Sequence, residues 1–361
     1  MDPFSKDLMQ WYAKHQRTHL PWRNHPSPYR TWVSEVMLQQ TRVETVIPYF
    51  DRFMAKYPNV EDLAGAPQDD VLSLWTGLGY YSRARNLHQA AKKIVELGFF
   101  PNTTKGLREL PGVGEYMSGA IASIALGLDE PAVDGNVVRV LSRIHRHAGT
   151  PKAIRGFALQ HLPPGRAGDF NQALMDLGSR VCLPKRPRCV ECPVAVHCEA
   201  RMRADVELFP PPKKKKAIPL RTALAGVLCE DKGILLAKRP SPGLFAGLYE
   251  VPGVLLAKVP KGRGLQTQAF PAEVCRTYAE ELGLNVNAGA KLGVIEHQLT
   301  HMRIELHLFR VSMEGLSDPK VLGPYTAFSW FNSSSAISEV GVSSLTNKAL
   351  KLLGPTYSPS L

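Results

Sequence analysis

Six cysteines occur in 361 residues, and four of them, Cys182, Cys189, Cys192 and Cys198, share one short stretch with six, two and five residues between successive members. Thiolate is a soft donor that suits zinc and iron–sulfur centres, and four thiolates this close can wrap one tetrahedral ion or one cubane cluster. Zinc modules usually bring paired C-x-x-C arms. Only Cys189 and Cys192 form such a pair, so the spacing favours iron–sulfur, with structural zinc and disulfides as the alternatives. Glu35 is a second chemical candidate. On a helix its neighbours at three and four positions are Thr31, Trp32, Leu38 and Gln39, none of them basic, so no intrahelical ion pair holds it ionised. A carboxyl among apolar groups tends to stay protonated, because desolvation raises its pKa toward the range of a general acid. A solvent-facing glutamate is the plain alternative.

The elements that must carry these groups divide the chain. From Phe4 to about Arg203 apolar residues recur at helix period, as in Tyr29–Phe53 and Leu87–Leu97, and strand signals are scarce. After Leu208 the text FPPPKKKKAIPLR forbids regular helix and repels itself into an extended connector. The predicted division is a helical domain over 1–204, a Pro/Lys-rich linker over 205–221 and an α+β domain over 222–361. In the last, Thr222–Cys229 and Ile234–Lys238 flank an Asp-Lys-Gly turn like a hairpin. Met302–Val311 sets Ile304, Leu306 and Leu308 against Arg303, Glu305 and His307 at strand period. A composition of 44% hydrophobic and 21% charged residues is globular, and a net charge of +12 favours a polyanionic partner such as nucleic acid. No apolar run is long enough to span a bilayer, and the opening MDPFSKDLMQWYAKHQ is unlike a signal sequence. An intracellular protein without membrane attachment is expected, in a reducing compartment that weakens the disulfide reading.

The segment LPGVGEYMSGAIASIAL, Leu110–Leu126, places Gly112 and Gly114 around Val113 directly before a helix. Glycine permits positive φ and close approach, and a helix start exposes N–H groups and positive dipole, so a phosphate is the natural guest. A tight turn explains the same letters. Asp134 follows Gly114 by twenty positions, ahead of a helix carrying Arg139, Arg143 and Arg146. It stands where an N-cap belongs as readily as a catalytic group. Together these residues resemble the helix-hairpin-helix base-excision glycosylase superfamily, and the cysteine spacing matches its iron–sulfur branch. The resemblance implies a mainly α helix-hairpin-helix glycosylase domain with a [4Fe-4S] cluster loop, followed by an α+β Nudix-like domain.

That branch holds endonuclease III-like enzymes and adenine DNA glycosylases. Tyr116 stands where the former carry a lysine whose amine attacks the sugar and then cleaves the strand. A phenol cannot form that imine, so a monofunctional enzyme is implied. Trp32–Thr41, WVSEVMLQQT, resembles the signature of MutY-type adenine DNA glycosylases. By that resemblance Glu35 protonates adenine, Asp134 stabilises an oxocarbenium-like sugar, and Tyr116 and Asn136 support the two carboxylates. Gln172, in Phe-Asn-Gln-Ala, presents its amide to the adenine edge. The base must leave the stack to be reached. Gln39, Gln40 and Thr41, and the stretch Gly77–Arg85 with Leu78 and Tyr80, resemble the family's insertion loops, leaving Arg83 and Arg85 for phosphates. Without the resemblance Leu78, Tyr80 and Tyr81 read first as core residues, and Trp22, in Leu-Pro-Trp-Arg, is equally ambiguous.

Gly262, Gln268 and RTYAEELGL at 276–284 resemble a Nudix motif in which Gln268 and Thr277 replace carboxylates, while Glu280 and Glu281 remain. A magnesium-dependent diphosphatase is thereby disfavoured. In adenine DNA glycosylases this domain examines 8-oxoguanine through a loop that usually reads Phe-Ser-His. Here Leu299-Thr300-His301 keeps the hydroxyl and the ring of Thr300 and His301 but loses the aromatic wedge. The implied function is removal of adenine mispaired with 8-oxoguanine or guanine in double-stranded DNA, by a monomer. Its rivals are an oxidised-pyrimidine glycosylase with lyase activity and a non-enzymatic iron–sulfur protein that binds damaged DNA. The cluster is expected as a clamp that fixes the basic loop Lys185, Arg186 and Arg188 for phosphate contact. Cys229 and Cys275 lie in apolar stretches and are expected as packing residues.

Overall fold

The computed structural model describes residues 1–212, 217–256, 266–315 and 318–353, apart from the side chains of 266–268 and 338. The linker lysines at 213–216, Gly262 and the Gln268 side chain lie outside the described residues. Among the described residues no helix is long and apolar enough to cross a membrane. Two compact units form, and they do not follow the chain as two blocks. One joins Met1–Gly65 to Arg83–Lys214, and the other joins Ala66–Ser82 to Lys215–Leu361. Residues 66–82, expected within the helical domain, therefore cluster with the C-terminal unit.

In the first unit α1 (Pro3–His15), α2 (Pro28–Leu38), α3 (Val43–Lys56) and α4 (Val60–Gly65) come first; α5 (Gln68–Leu74) belongs to the second unit. The first unit continues with α6 (Ser82–Leu97), α7 (Thr104–Arg108), α8 (Glu115–Ala125), α9 (Gly135–Ile144), α10 (Pro151–His161), α11 (Ala167–Arg180) and α12 (Glu199–Met202). Helix starts follow local chemistry. Asp2 and Ser27 cap α1 and α2 ahead of prolines in the first turn, whose missing N–H costs nothing there. The continuous helical pattern of Tyr29–Phe53 is in fact broken between α2 and α3, where Gln40 takes a positive φ of 56°. The core between α1, α9 and α11 holds Phe4, Leu8, Tyr12, Val140, Leu141, Phe170 and Leu174, all nearly or fully buried. Each such side chain contributes about 1.5–3 kcal/mol. α8 packs by smallness instead: a Cβ on Gly119 would stand 2.3 Å from the Pro131 carbonyl oxygen. That closeness brings the segment before Asp134 against α8.

The second unit runs β1 (Leu220–Glu230), β2 (Gly233–Lys238), β3 (Tyr249–Glu250), β4 (Gly253–Leu255), α13 (Gln266–Leu282), β5 (Val286–Gln298), β6 (Arg303–Met313), β7 (Ala327–Phe331), α14 (Ser334–Ser338) and α15 (Ser344–Lys351). The β1–β2 hairpin pairs Glu230 with Gly233 across Asp231 and Lys232. β6 lies parallel to β1 and antiparallel to β5, giving a mixed sheet. Ile304, Leu306 and Leu308 pack with Leu345 and Ala349 of α15, as their alternation predicts. The opposite face of β6 is exposed at Arg303 but covered from His307 to Val311. α13 covers that side with Val274, Tyr278 and Leu282 against Phe309 and Val311, and His307 is buried beside Phe270. A strand covered on both sides keeps its period while some of its polar positions are buried, as His307 is. Cys229, expected to pack, is exposed.

Candidate active site

Glu35 sits on α2 and faces a cavity of about 620 Å³, within the roughly 300–1,000 Å³ usual for small-molecule pockets. α2 stops at Leu38 because the Arg83 guanidinium takes its last carbonyls, donating to Val36, Met37 and Gln39 oxygens at 2.9, 2.8 and 2.5 Å. A cation on those acceptors also complements the negative end of the helix dipole. Arg83, expected at phosphate, is thus buried and committed to shaping the turn. The turn it shapes sets Gln39, Gln40 and Thr41 into the cavity wall. Trp22 resolves both ways: it is buried edge-on against Phe50 and also lines the cavity.

Burial pushes the Glu35 carboxyl from 4.5 up to about 7. The Tyr116 hydroxyl, which donates to Glu35 Oε2, pulls it back, the charge of Asp134 raises it, and Arg23 lowers it. Tyr116 itself is raised well above its ordinary value by burial and by the two carboxylates, so it remains a neutral donor. Asp134 caps α9: Oδ1 accepts the Val137 N–H at 2.7 Å and Oδ2 accepts Asn136 Nδ2 at 2.7 Å. Its pKa also rises, because burial outweighs those bonds and the nearby Arg139 charge. Capping and cavity lining are therefore not exclusive, since the same carboxylate does both.

Asn136 is held in turn. Its Oδ1 accepts from Arg139 Nη2 at 2.8 Å, and Arg139 Nε donates to the Cys182 carbonyl at 2.7 Å. A Cβ on Gly178 would stand 2.5 Å from that of Asn136, so glycine lets α11 approach the α9 start. Gln172, on α11, lines the cavity and donates to Gly168 O at 3.3 Å. Four contributors escaped the sequence reading. Arg17 and Arg23 line the cavity and converge on Asp176, whose side chain is wholly buried and accepts four bonds of 2.7–3.0 Å. Asn171, one residue before Gln172, accepts the Ala132 N–H at 3.1 Å and donates to Glu130 O at 2.8 Å, pinning the strap that leads to Asp134.

At the hairpin only one glycine is conformationally required. Gly112 has φ 77°, and a Cβ there would meet Asn86 at 2.8 Å. Gly114 is ordinary extended backbone at the start of α8, where no side chain caps the helix. The four cysteines line one small cavity, although among the described residues no group of three or more His, Cys, Asp or Glu stands in metal-holding geometry. The donor set suits a soft metal centre. Burial and mutual charge raise the Cys189, Cys192 and Cys198 thiols, Cys192 to about 11, so ionising all of them together calls for a cation. Arg143 ties the loop to α9, donating to Cys182 Sγ at 3.2 Å and to Leu183 O at 2.7 Å. Lys185, Arg186 and Arg188 are left exposed.

In the C-terminal unit Thr300 and His301 are exposed in the β5–β6 turn, closed by the Leu299 N–H donating to Met302 O at 2.8 Å. Leu299 packs against the sheet core. Arg239 pairs with Glu250 at 2.7 Å and also acts on Glu281, so an internal cation faces the carboxylates of the Nudix motif. Thr277 bonds along its own helix, to Glu273 O at 2.9 Å, and Glu280 lies exposed 3.8 Å from Arg276. Leu78 is buried and Tyr80 is exposed, on the segment that clusters with this unit.

A family model described as HhH-GPD superfamily base excision DNA repair protein matches residues 33–164, and a NUDIX domain model matches 223–352. The human adenine DNA glycosylase is 36% identical over 383 residues, covering 89% of this chain and 69% of that protein. Its counterpart from Rattus norvegicus is 37% identical over 372 residues, covering 86% of this chain and 71% of that protein. An adenine DNA glycosylase of Buchnera aphidicola subsp. Schizaphis graminum is 40% identical over 257 residues, covering 69% and 74%. Among solved structures, a thermostable thymine-DNA glycosylase aligns with a TM-score of 0.52 and 28% identity, covering 55% of this chain and 95% of its own. With a helical base-excision unit, a NUDIX unit and relatives of this likeness along most of its length, the chain belongs to the adenine DNA glycosylases, enzymes that hydrolyse an N-glycosidic bond in DNA.

Proposed function

We propose that the chain is a monofunctional, monomeric, intracellular adenine DNA glycosylase acting on adenine opposite 8-oxoguanine or guanine in duplex DNA. The observation that carries this reading is one cavity whose described lining brings together Glu35, Asp134 and Tyr116 and includes no lysine. A carboxyl with pKa about 7 holds a proton and releases it at neutral pH, as a general acid must. Glu35 gives that proton to the flipped adenine ring, making it a leaving group. Asp134, oriented by Asn136 and the α9 N-terminus, faces the sugar as positive charge develops there. Tyr116 keeps Glu35 aimed while staying neutral. Glu35, now ionised, draws a proton from the incoming water. Gln172 and the Gln39–Thr41 wall orient the base, and Thr300 and His301 examine its partner across the helix.

Cys182, Cys189, Cys192 and Cys198 are the residues that would hold a [4Fe-4S] cluster, which when bound fixes the exposed basic loop Lys185–Arg188 for phosphate. The test is a set of duplexes carrying adenine opposite 8-oxoguanine, guanine, cytosine or thymine, each treated with and without alkali. Adenine release from the first two, with strand scission only after alkali, is expected. No adenine release from any duplex defeats the proposal, and scission without alkali defeats its monofunctional part.

A further inference from the structure

Segment Ala66–Ser82 lies in the sequence between α4 and α6, both of the helical unit, yet its contacts place it in the C-terminal unit. Several attachments join it to that unit. Lys238, at the end of β2, donates to both carboxylate oxygens of Asp69 at 2.6 Å. Its backbone is fixed by pairing with β3 and β7, so the ammonium is presented from a rigid sheet. The buried Tyr81 hydroxyl donates to Val342 O at 2.6 Å. Leu72, wholly buried, fits against backbone: a Cβ on Gly341 would stand 2.8 Å from the Leu72 Cβ.

Between these anchors the chain runs through Gly77, Gly79 and Tyr80 at φ 103°, 71° and 51°. The Trp75 indole N–H closes the turn by donating to Gly79 O at 3.1 Å. Leu78 and Tyr81 point into packed surroundings, whereas the Tyr80 ring is 44% exposed. A large ring on a left-handed residue, between buried Leu78 two positions before it and buried Tyr81 directly after it, takes its placement in part from what holds those residues. Tyr81 is held by Val342, which bridges to Tyr249 of β3 in the sheet that also carries the Leu299–Met302 turn.

We infer that Asp69, Lys238 and Tyr81 are positioning residues for Tyr80, and that discrimination of the base opposite adenine depends on this anchorage. The inference rests on reading the C-terminal unit as the examiner of that base. Neither the ion pair nor the Tyr81 hydroxyl touches the cavity of Glu35, so the anchors act on selectivity rather than on bond cleavage.

The test compares full-length wild type, Asp69→Asn, Tyr81→Phe and the charge swap Asp69→Lys with Lys238→Asp. The readout is the ratio of single-turnover adenine excision rates opposite 8-oxoguanine and opposite guanine. A misfolded fraction lowers both rates together and leaves the ratio untouched, so general destabilisation does not imitate the effect. Loss of one such hydrogen bond should lower the ratio by about three- to tenfold in each single variant, and the charge swap should restore it. A ratio unchanged in Asp69→Asn and Tyr81→Phe, beside a wild type that discriminates, overturns the inference alone. A wild type with no preference overturns the underlying reading and the inference with it.

Discussion

Replacing Glu35 by glutamine should silence base release and, at alkaline pH, make the protein more stable. The folded carboxyl has its pKa raised from 4.5 to about 7. Between those values the folded state binds more protons than the unfolded chain, so stability falls as pH rises through that window. The penalty is absent below 4.5 and complete above about 7. A rise from 4.5 to about 7, at about 1.4 kcal/mol per tenfold change in proton affinity, amounts to about 3.5 kcal/mol in full, roughly 3 of it between pH 5 and pH 8.5. Glutamine cannot ionise, keeps the shape of the side chain, and retains an oxygen to accept the Tyr116 hydroxyl. Its extra N–H groups carry a cost of their own, but that cost does not vary with pH and cancels when two pH values are compared. Melting of wild type and Glu35→Gln at pH 5 and pH 8.5 provides the measurement. At about 2–4 °C per kcal/mol for a unit of this size, the variant's advantage should grow by about 6–12 °C at the higher pH. A difference in midpoint that does not change with pH, or normal adenine release by the variant, would refute the placement of a protonated acid in this cavity.

Two further substitutions should move the same titration in opposite directions. Tyr116→Phe removes the donor that holds Glu35 down; a hydrogen bond to a charged group is worth about 1.5–3 kcal/mol, so the alkaline limb of the single-turnover rate profile should shift up by about one to two pH units, and an unmoved or acid-shifted limb contradicts the assignment. Asp176→Asn leaves Arg17 and Arg23 without their shared counter-charge beside a cavity in which Arg23 already lowers Glu35. The limb should then shift down and neutral-pH activity should fall, with a stability loss of about 3–5 kcal/mol by denaturant titration; a profile identical to wild type would show that the arginine pair does not act on Glu35.

How much of this site was legible in the chain depends on the distance over which each residue finds its partner. Glu35 could be suspected because its helical neighbours lack a cation, a relation confined to four positions either way. The demand on Gly112 was equally local and appears as its positive φ. Asp134 was readable as a cap, and the cap and cavity roles coincide because the α9 N-terminus itself forms the wall. Asp176 left no such trace, since its arginines lie 153 and 159 positions away and only folding makes them neighbours. Arg83 misled for the same reason: a basic residue in a glycine-rich stretch looks free for phosphate until the α2 carbonyls, 44–47 positions earlier, arrive to occupy it.

The segment Ala66–Ser82 extends that reasoning from side chains to a whole element. Its own residues mark a glycine-rich loop but not the unit it joins, because the features that claim it include Lys238, Gly341 and Val342, far along the chain. A boundary drawn from composition can find a proline–lysine connector but cannot see a loop that crosses it. Under the proposed function, in which one base is released and its partner judged, that crossing has a consequence. The segment that carries Tyr80 is anchored to the unit that carries the Thr300–His301 turn, while Glu35 lies on α2 and Asp134 caps α9. Selectivity and bond cleavage would then have separate structural supports, and substitutions in one should leave the other measurably intact.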